Sequence, residues 1–129
     1  MSSRVEHGTR VVALVGSGLS KAIGLAAHHD STSQFEGIPL PRITCPEGWR
    51  TMPDVVRRYY DARRSETAPV LPSEAHEALA RAQHALTAAR CRLISENIDG
   101  MLQKASAEEV LDLNGSLFRV RCAADPSHP

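Results

Sequence analysis

The stretch RVVALVGSGLSKAIGL, Arg10 to Leu25, constrains the fold more than any other part of the chain. Five apolar residues, Val11 to Val15, run without interruption into Gly16-Ser17-Gly18, and a helix-compatible segment follows. A short continuous apolar run that stops at glycines predicts a buried strand feeding a helix. Such a turn lets the backbone approach a ligand closely, and the amides at the start of the helix stabilise an anion such as a pyrophosphate. The spacing is Gly16-x-Gly18 with the next glycine at Gly24, so the Gly-x-Gly-x-x-Gly dinucleotide pattern is not met. A plain strand-to-helix turn explains these residues equally well.

Beyond this unit, the segment from Ala26 to Gly48 loses periodicity and gathers Gly, Pro, Ser and Thr, which predicts a long loop. Pro53-Asp54 then signals a helix start, with Val55, Val56, Tyr59, Tyr60 and Arg63 at helical spacings. A further helix is expected after Ser73 as N-cap, with Ala75, Ala78, Leu79, Ala82 and Leu86 on its apolar face. CRLIS is a short buried strand, and ENIDGMLQKAS is a turn leading into a short helix. VLDLNGSLFRVRC, Val110 to Cys122, places two alternating segments around Asn114-Gly115-Ser116 and predicts strand, turn, strand. Together the elements predict an α/β fold with a mostly parallel sheet, and 129 residues suit one domain.

Charge and composition narrow the functional classes. Fifteen basic residues balance fifteen acidic ones, so neither nucleic acid nor an anionic membrane is expected as partner. Aromatic residues make up only 4% of the chain, too few for a base-stacking surface. No apolar run reaches the length of a membrane span, and MSSRVEHGTR lacks the apolar region of a secretory signal. A soluble intracellular, cytoplasmic protein is the expectation. Cys45, Cys91 and Cys122 are odd in number and widely spaced, which argues against a disulfide framework, and no Cys-x-x-Cys pair exists.

A second candidate site follows the strand CRLI. In an open parallel sheet, ligands sit at the carboxyl ends of the strands, where Asn97 and Asp99 of SENIDG fall. Asn offers a donor and an acceptor, and Asp an acceptor, which suits ribose hydroxyls or a carboxamide. Capping of the next helix by either residue is the alternative.

Taken in order, GSGLSKAIGL, CPEGW, YYDARR, PSEAHEALA, ISENIDGMLQKAS and LDLNGSLFRVRC resemble the successive blocks of sirtuins, the NAD-dependent protein lysine deacylases. The resemblance covers Val11 to Cys122 and implies a partial Rossmann-like layer, a single NAD-binding domain over residues 1–129, shorter than a full sirtuin. It implies NAD and an acyl-lysine protein or peptide as partners. The pyrophosphate-gripping segment corresponds to Gly16, Ser17, Gly18, Leu19 and Ser20, with Gly24 beyond it. The segment that holds the nicotinamide ribose and carboxamide corresponds to Glu96, Asn97, Ile98 and Asp99, with Asn97 and Asp99 also in catalytic roles. YYDARR resembles the Tyr-x-x-Arg element of the desuccinylase-like bacterial and mitochondrial branch, which implies that Tyr60 and Arg63 bind an acyl carboxylate.

Four departures accompany the resemblance. Asn114 stands at the position of the family's general-base His. An Asn amide is effectively non-basic in water, and loss of such a base costs about a hundredfold to ten-thousandfold in rate. Ala26-Ala27-His28-His29 replaces the family's acidic-or-polar residue and Phe-Arg over the cofactor, and Glu96 replaces its Gln. Cys122 matches the first of four zinc cysteines, but Asp125 stands three residues on, so no zinc module is assigned. The expectation is a sirtuin-type deacylase with impaired acyl transfer. Its alternatives are a degenerate module that binds NAD or ADP-ribose without turnover, a non-enzymatic fragment, or an NAD hydrolase.

Overall fold

The computed structural model describes residue 8, residues 10–25, residues 32–122, and residues 125 and 127. In chain order its elements are β1 (Val11–Val15), α1 (Ser17–Lys21), β2 (Gln34–Phe35), β3 (Ile38–Pro39), α2 (Leu40–Ile43) and α3 (Pro46–Thr51). Then come α4 (Pro53–Thr67), α5 (Glu74–Leu86), β4 (Cys91–Ser95), α6 (Met101–Lys104) and β5 (Leu111–Asp112). β1 pairs in parallel with β4 along its whole length, from Val11 opposite Cys91 to Val15 opposite Ser95. β5 joins the other side of β4, also in parallel, with Ile94 opposite Leu111. The sheet order is therefore β1-β4-β5, an α/β layer with all three carboxyl ends on one edge.

One face of this sheet is covered. Val15, Cys91, Leu93 and Leu102 form a buried cluster, and Leu19, Leu79, Leu86 and Val110 pack against it. Each such fully buried aliphatic side chain stabilises by roughly 1.5 to 3 kcal/mol. The other face differs from the buried strand expected of VVALV, because Val12 and Leu14 are 66% and 64% exposed. The strand itself forms as its composition predicts, but helices cover only the face of Val11, Ala13 and Val15 among the described residues.

The long loop expected between Ala26 and Gly48 is corrected over its described part. β2 and β3 form an antiparallel hairpin closed by Glu36-Gly37, both at positive φ, the geometry of a tight two-residue turn. α2 and α3 follow, and they pack with α4 around Leu40, Ile43, Val56 and Tyr59. Helices of four and six residues are too short to show periodicity, so composition alone reads as loop. Gly48 makes their contact feasible, because a side-chain carbon there would lie 2.6 Å from the carbonyl oxygens of Arg42 and Ile43.

The Ser73 cap forms as expected, and His76 completes it by accepting the Ser73 backbone N–H. The face of α5 needs correction. Ala75, Ala78 and Ala82 are exposed, while the buried stripe is His76, Ala80 and Gln83 flanked by Leu79 and Leu86. Alanine carries little facial preference, whereas Gln83 gains by burial. Its side-chain nitrogen donates to the Cys91 and Glu108 carbonyls at 3.4 and 2.5 Å, and its oxygen accepts from the Glu108 amide at 2.7 Å.

The strand pair expected over Val110 to Cys122 is also corrected. Among the described residues of this segment only Leu111 and Asp112 join the sheet, and none after Asn114 forms a strand. Leu117 is drawn inward instead, 5% exposed, with its amide on the Ile98 carbonyl at 2.9 Å. Two cations then tie this layer to α4. Arg64 donates to the Leu117 carbonyl, and Lys104 Nζ donates to the carbonyls of Thr67, Ala68 and Val70 at 3.3, 2.7 and 2.9 Å. Among the described residues no helix is long and apolar enough to cross a membrane.

Candidate functional site

The parallel order brings the ends of β1 and β4 together, and the two sequence segments that follow them interlock. Ser95, the last residue of β4, is buried and organises the turn through its hydroxyl, which accepts the Asn97 amide and donates to the Asn97 carbonyl, both at 3.1 Å. This turns the Asn97 side chain toward β1. Its Nδ2 donates to the Gly16 carbonyl at 3.0 Å and to Ser20 Oγ at 2.9 Å. Ser20 in turn donates to Asp99 Oδ2 at 2.5 Å, a short charge-assisted bond within a buried pair.

Asp99 takes the capping alternative considered for it and also braces the glycine turn. Its Oδ1 accepts the Met101 amide at 3.0 Å, which starts α6, and its Oδ2 holds Ser20. Asn114 reaches the same edge from beyond β5, where its Nδ2 donates to the Glu96 carbonyl at 2.8 Å. The Glu96 carboxylate lies over the glycine turn, 3.4 Å from where a side chain on Gly16 would begin. Thus Gly16, Ser20, Glu96, Asn97, Asp99 and Asn114 meet at the carboxyl edge of the sheet.

The remaining predicted residues divide. Ser17 and Gly18 open α1, with space in front of Gly18, and their amides lie in a first turn that has no acceptor of its own. Leu19 packs into the core beneath the sheet, and Ile98 is half-buried with its carbonyl on Leu117. Gly24, at a φ of 82°, closes the turn after α1, where its amide meets the Lys21 carbonyl. Tyr60 and Arg63 sit apart from this node on α4. Tyr60 stacks on Trp49 with ring centres 6.0 Å apart, and Arg63 pairs with Glu66 at 2.5 Å. Burial pushes the Tyr59 and Tyr60 hydroxyls above their usual range, and for Tyr59 the nearby Arg63 charge offsets part of that effect.

Ala26-Ala27-His28-His29 lies outside the described residues. Cys122 is a free, half-buried thiol, and among the described residues no group of three or more His, Cys, Asp or Glu is placed to hold a metal.

Sequence reasoning missed Ser95 and His76. A hydroxyl at the last position of a strand, just before a ligand-bearing turn, is a readable signal for Ser95. His76 had none beyond its place in the capping sequence. It is 1% exposed, and burial holds its imidazole below the usual His range while the Asp99 charge opposes that effect.

The donors and acceptors at this edge fit a nucleotide. First-turn amides suit a phosphate, and the side-chain oxygens of Asn97 and Asn114, whose nitrogens are already committed to the protein, suit hydroxyl or amide donors. Glu96 and Asp99 are of like sign to a phosphate, and of the two only Asp99 is buried with both oxygens bonded.

The Sir2 family model matches residues 16–127. An NAD-dependent protein deacylase of Helicobacter pylori is 31% identical over 117 residues, covering 91% of this chain and 50% of that protein. Another from Shigella flexneri is 33% identical over 116 residues, covering 88% of this chain and 42% of that protein. The chain therefore spans about half the length of these curated relatives. Among solved structures, a mutant Sir2 homologue in complex with 2′-O-acetyl ADP ribose aligns with a TM-score of 0.75 at 26% identity, over 93% of this chain and 50% of that one. A Sir2 homologue in complex with NAD aligns with a TM-score of 0.76 at 24% identity, over 95% of this chain and 49% of that one, and shares its fold. With the glycine turn, the Asn97-Asp99 node and a family match over residues 16–127, the chain belongs to the Sir2 family.

Proposed function

We propose that this chain forms the NAD-gripping part of a sirtuin-type protein lysine deacylase, with its acyl-transfer step impaired. The observation that carries the reading is the bond network from Asn97 to Gly16 and Ser20 and from Ser20 to Asp99. It joins the two segments that a nucleotide must touch at once. When bound, NAD supplies an electrophilic ribose carbon and nicotinamide as leaving group. The chain's own residues bind and orient it: Ser17 and Gly18 amides toward phosphate, Asn97 and Asp99 toward the nicotinamide ribose. Glu96 places a carboxylate beside the turn, where it favours positive charge and opposes phosphate.

Asn114 favours the binding-module alternative over efficient turnover. Its amide is tied to the Glu96 carbonyl, which orients its oxygen for a hydroxyl donor, but an amide cannot take up the proton that a base must remove. The Tyr60 and Arg63 pair supports a preference for acidic acyl groups such as succinyl or malonyl, with Glu66 as the carboxylate that such a group would displace from Arg63.

The test mixes the protein with NAD and succinyl- or acetyl-lysine peptide and follows nicotinamide release, with calorimetry of NAD and ADP-ribose binding in parallel. Saturable binding with slow, peptide-dependent release is expected. Release independent of peptide would assign a hydrolase instead, and no binding of either nucleotide would refute the reading.

A further inference from the structure

Among the described residues β1 pairs with β4 on one side and with no strand on the other, so it is an edge of the sheet. The Val11 amide donates to the Arg90 carbonyl at 2.8 Å, and the Val15 carbonyl accepts the Glu96 amide at 2.9 Å. Backbone direction alternates along a strand, so Val11, Ala13 and Val15 turn their groups to β4 while those of Val12 and Leu14 point to the open edge. Soluble proteins block such an edge with a charge, a proline or a bulge, because it is a template for another strand. VVALV has no charge and no proline, and the side chains of Val12 and Leu14 are mostly exposed as well.

This edge is complementary to itself. With a second copy set antiparallel about a two-fold axis at Ala13, Val12 of each copy lies opposite Leu14 of the other, Val11 opposite Val15, and Arg10 opposite Gly16. Both Val12–Leu14 pairs then exchange their outward N–H and C=O groups, and Ala13 meets its own copy as a pair without hydrogen bonds. Side chains directly opposite share a face, so Val12 and Leu14 cover one another. Charge matches at the ends. Gly16 keeps extended backbone, so its missing side chain would lie on the face of Leu14, and the Glu96 carboxylate is 3.4 Å from that position. Alternation puts Arg10 on this same face. Arg10 and Glu96 are both exposed, and among the described residues neither forms an ion pair.

We propose that this chain self-associates through β1, two copies joining their edges into one continuous sheet with Arg10 of the partner subunit on Glu96 at each end of the junction. The assembly does not depend on the nucleotide reading. It sets a cation beside the glycine turn of each copy.

Sedimentation equilibrium of the full chain tests this, and a dimer in equilibrium with monomer is expected. Val12→Pro removes only amides that point to the open edge, where proline is tolerated, so circular dichroism should be unchanged. The dimer should weaken about tenfold, the loss of one bond from each copy. Arg10→Glu and Glu96→Arg should each weaken it as well, and the two combined should restore it. Ala13→Cys should form a disulfide between copies under mild oxidation that the wild type lacks, because the residue meets its own copy at the axis and points to the covered face. A protein that stays monomeric at every concentration overturns the proposal. So does a dimer that is indifferent to Val12→Pro and is not cross-linked by Ala13→Cys, which would put the contact on the open face of Leu14, Ile94 and Leu111 instead.

Discussion

Replacement of Asn97 tests whether the two strand ends are held together by the node or merely lie near each other. Its Nδ2 makes two bonds, to the Gly16 carbonyl at 3.0 Å and to Ser20 Oγ at 2.9 Å, across 81 and 77 residues of sequence. Asn97→Ala removes both donors. Each lost bond costs about 0.5 to 1.5 kcal/mol, so the expected loss is about 2 kcal/mol. For a chain of this size that lowers the midpoint of thermal unfolding by roughly 3 to 6 °C per kcal/mol. Asn97→Asp keeps the shape but sets acceptor oxygens against a carbonyl and places a second carboxylate near Asp99. At neutral pH it should therefore destabilise more than alanine does. Repulsion raises the new carboxyl's pKa in the folded state above its unfolded value, so the penalty is present at neutral pH and lifts as pH falls and the group protonates. Urea unfolding of the three proteins at pH 7.5 and 5 measures these differences. If Asn97→Ala stays within 0.5 kcal/mol of wild type, or Asn97→Asp is no worse than alanine at pH 7.5, the node is not a fastening and the argument fails.

Other expectations follow from the same geometry. Asn114→His should raise peptide-dependent nicotinamide release and deacylation at least tenfold by supplying a group that titrates near neutrality; unchanged activity would mean that another part of the machinery limits the rate. Burial depresses the folded-state pKa of His76 more than Asp99 raises it, so the unfolded chain takes up a proton first on acidification. Stability should thus be unaffected by this group above its unfolded pKa and should fall as pH drops through it, and His76→Gln should flatten that slope in unfolding curves at pH 7.5, 6.5 and 5.5. Arg63→Ala should weaken succinyl-lysine peptide binding by roughly 1.5 to 3 kcal/mol while leaving acetyl-lysine binding nearly unchanged; equal losses in calorimetry would make Arg63 a residue of the fold. Lys104→Met, which removes the donors to Thr67 at the end of α4 and to Ala68 and Val70 just after it, should cost about 1 to 3 kcal/mol in urea unfolding.

Legibility of the chain tracked the length over which a pattern could repeat. β1, α4, α5 and β4 were readable because apolar runs and cap signals extend over five to fifteen residues. The hairpin at Glu36-Gly37 and the helices α2 and α3 were not, since each is set by tertiary packing on Val56 and Tyr59 more than by its own period. The buried stripe of α5 was misread because alanines were counted as apolar anchors, while Gln83 and His76 sank by satisfying backbone groups that no periodicity records. The second strand after Asn114 alternates correctly, but Leu117 has a better partner in the Ile98 carbonyl than in a sheet edge. Asn97 and Asp99 were legible as site residues from their place after a strand. Their bonds to Gly16 and Ser20 depend on the parallel pairing of β1 with β4, which lies far outside any local window.

The Lys104 ammonium, at the end of α6, is shared among three carbonyls, that of Thr67 at the end of α4 and those of Ala68 and Val70 in the segment just after it. Because these acceptors converge on one side chain, all three bonds are lost together when Lys104 leaves. The sheet layer and the helical layer should accordingly part in a single cooperative step, so that amide exchange at the end of α4 and at the start of α6 would proceed at the same rate.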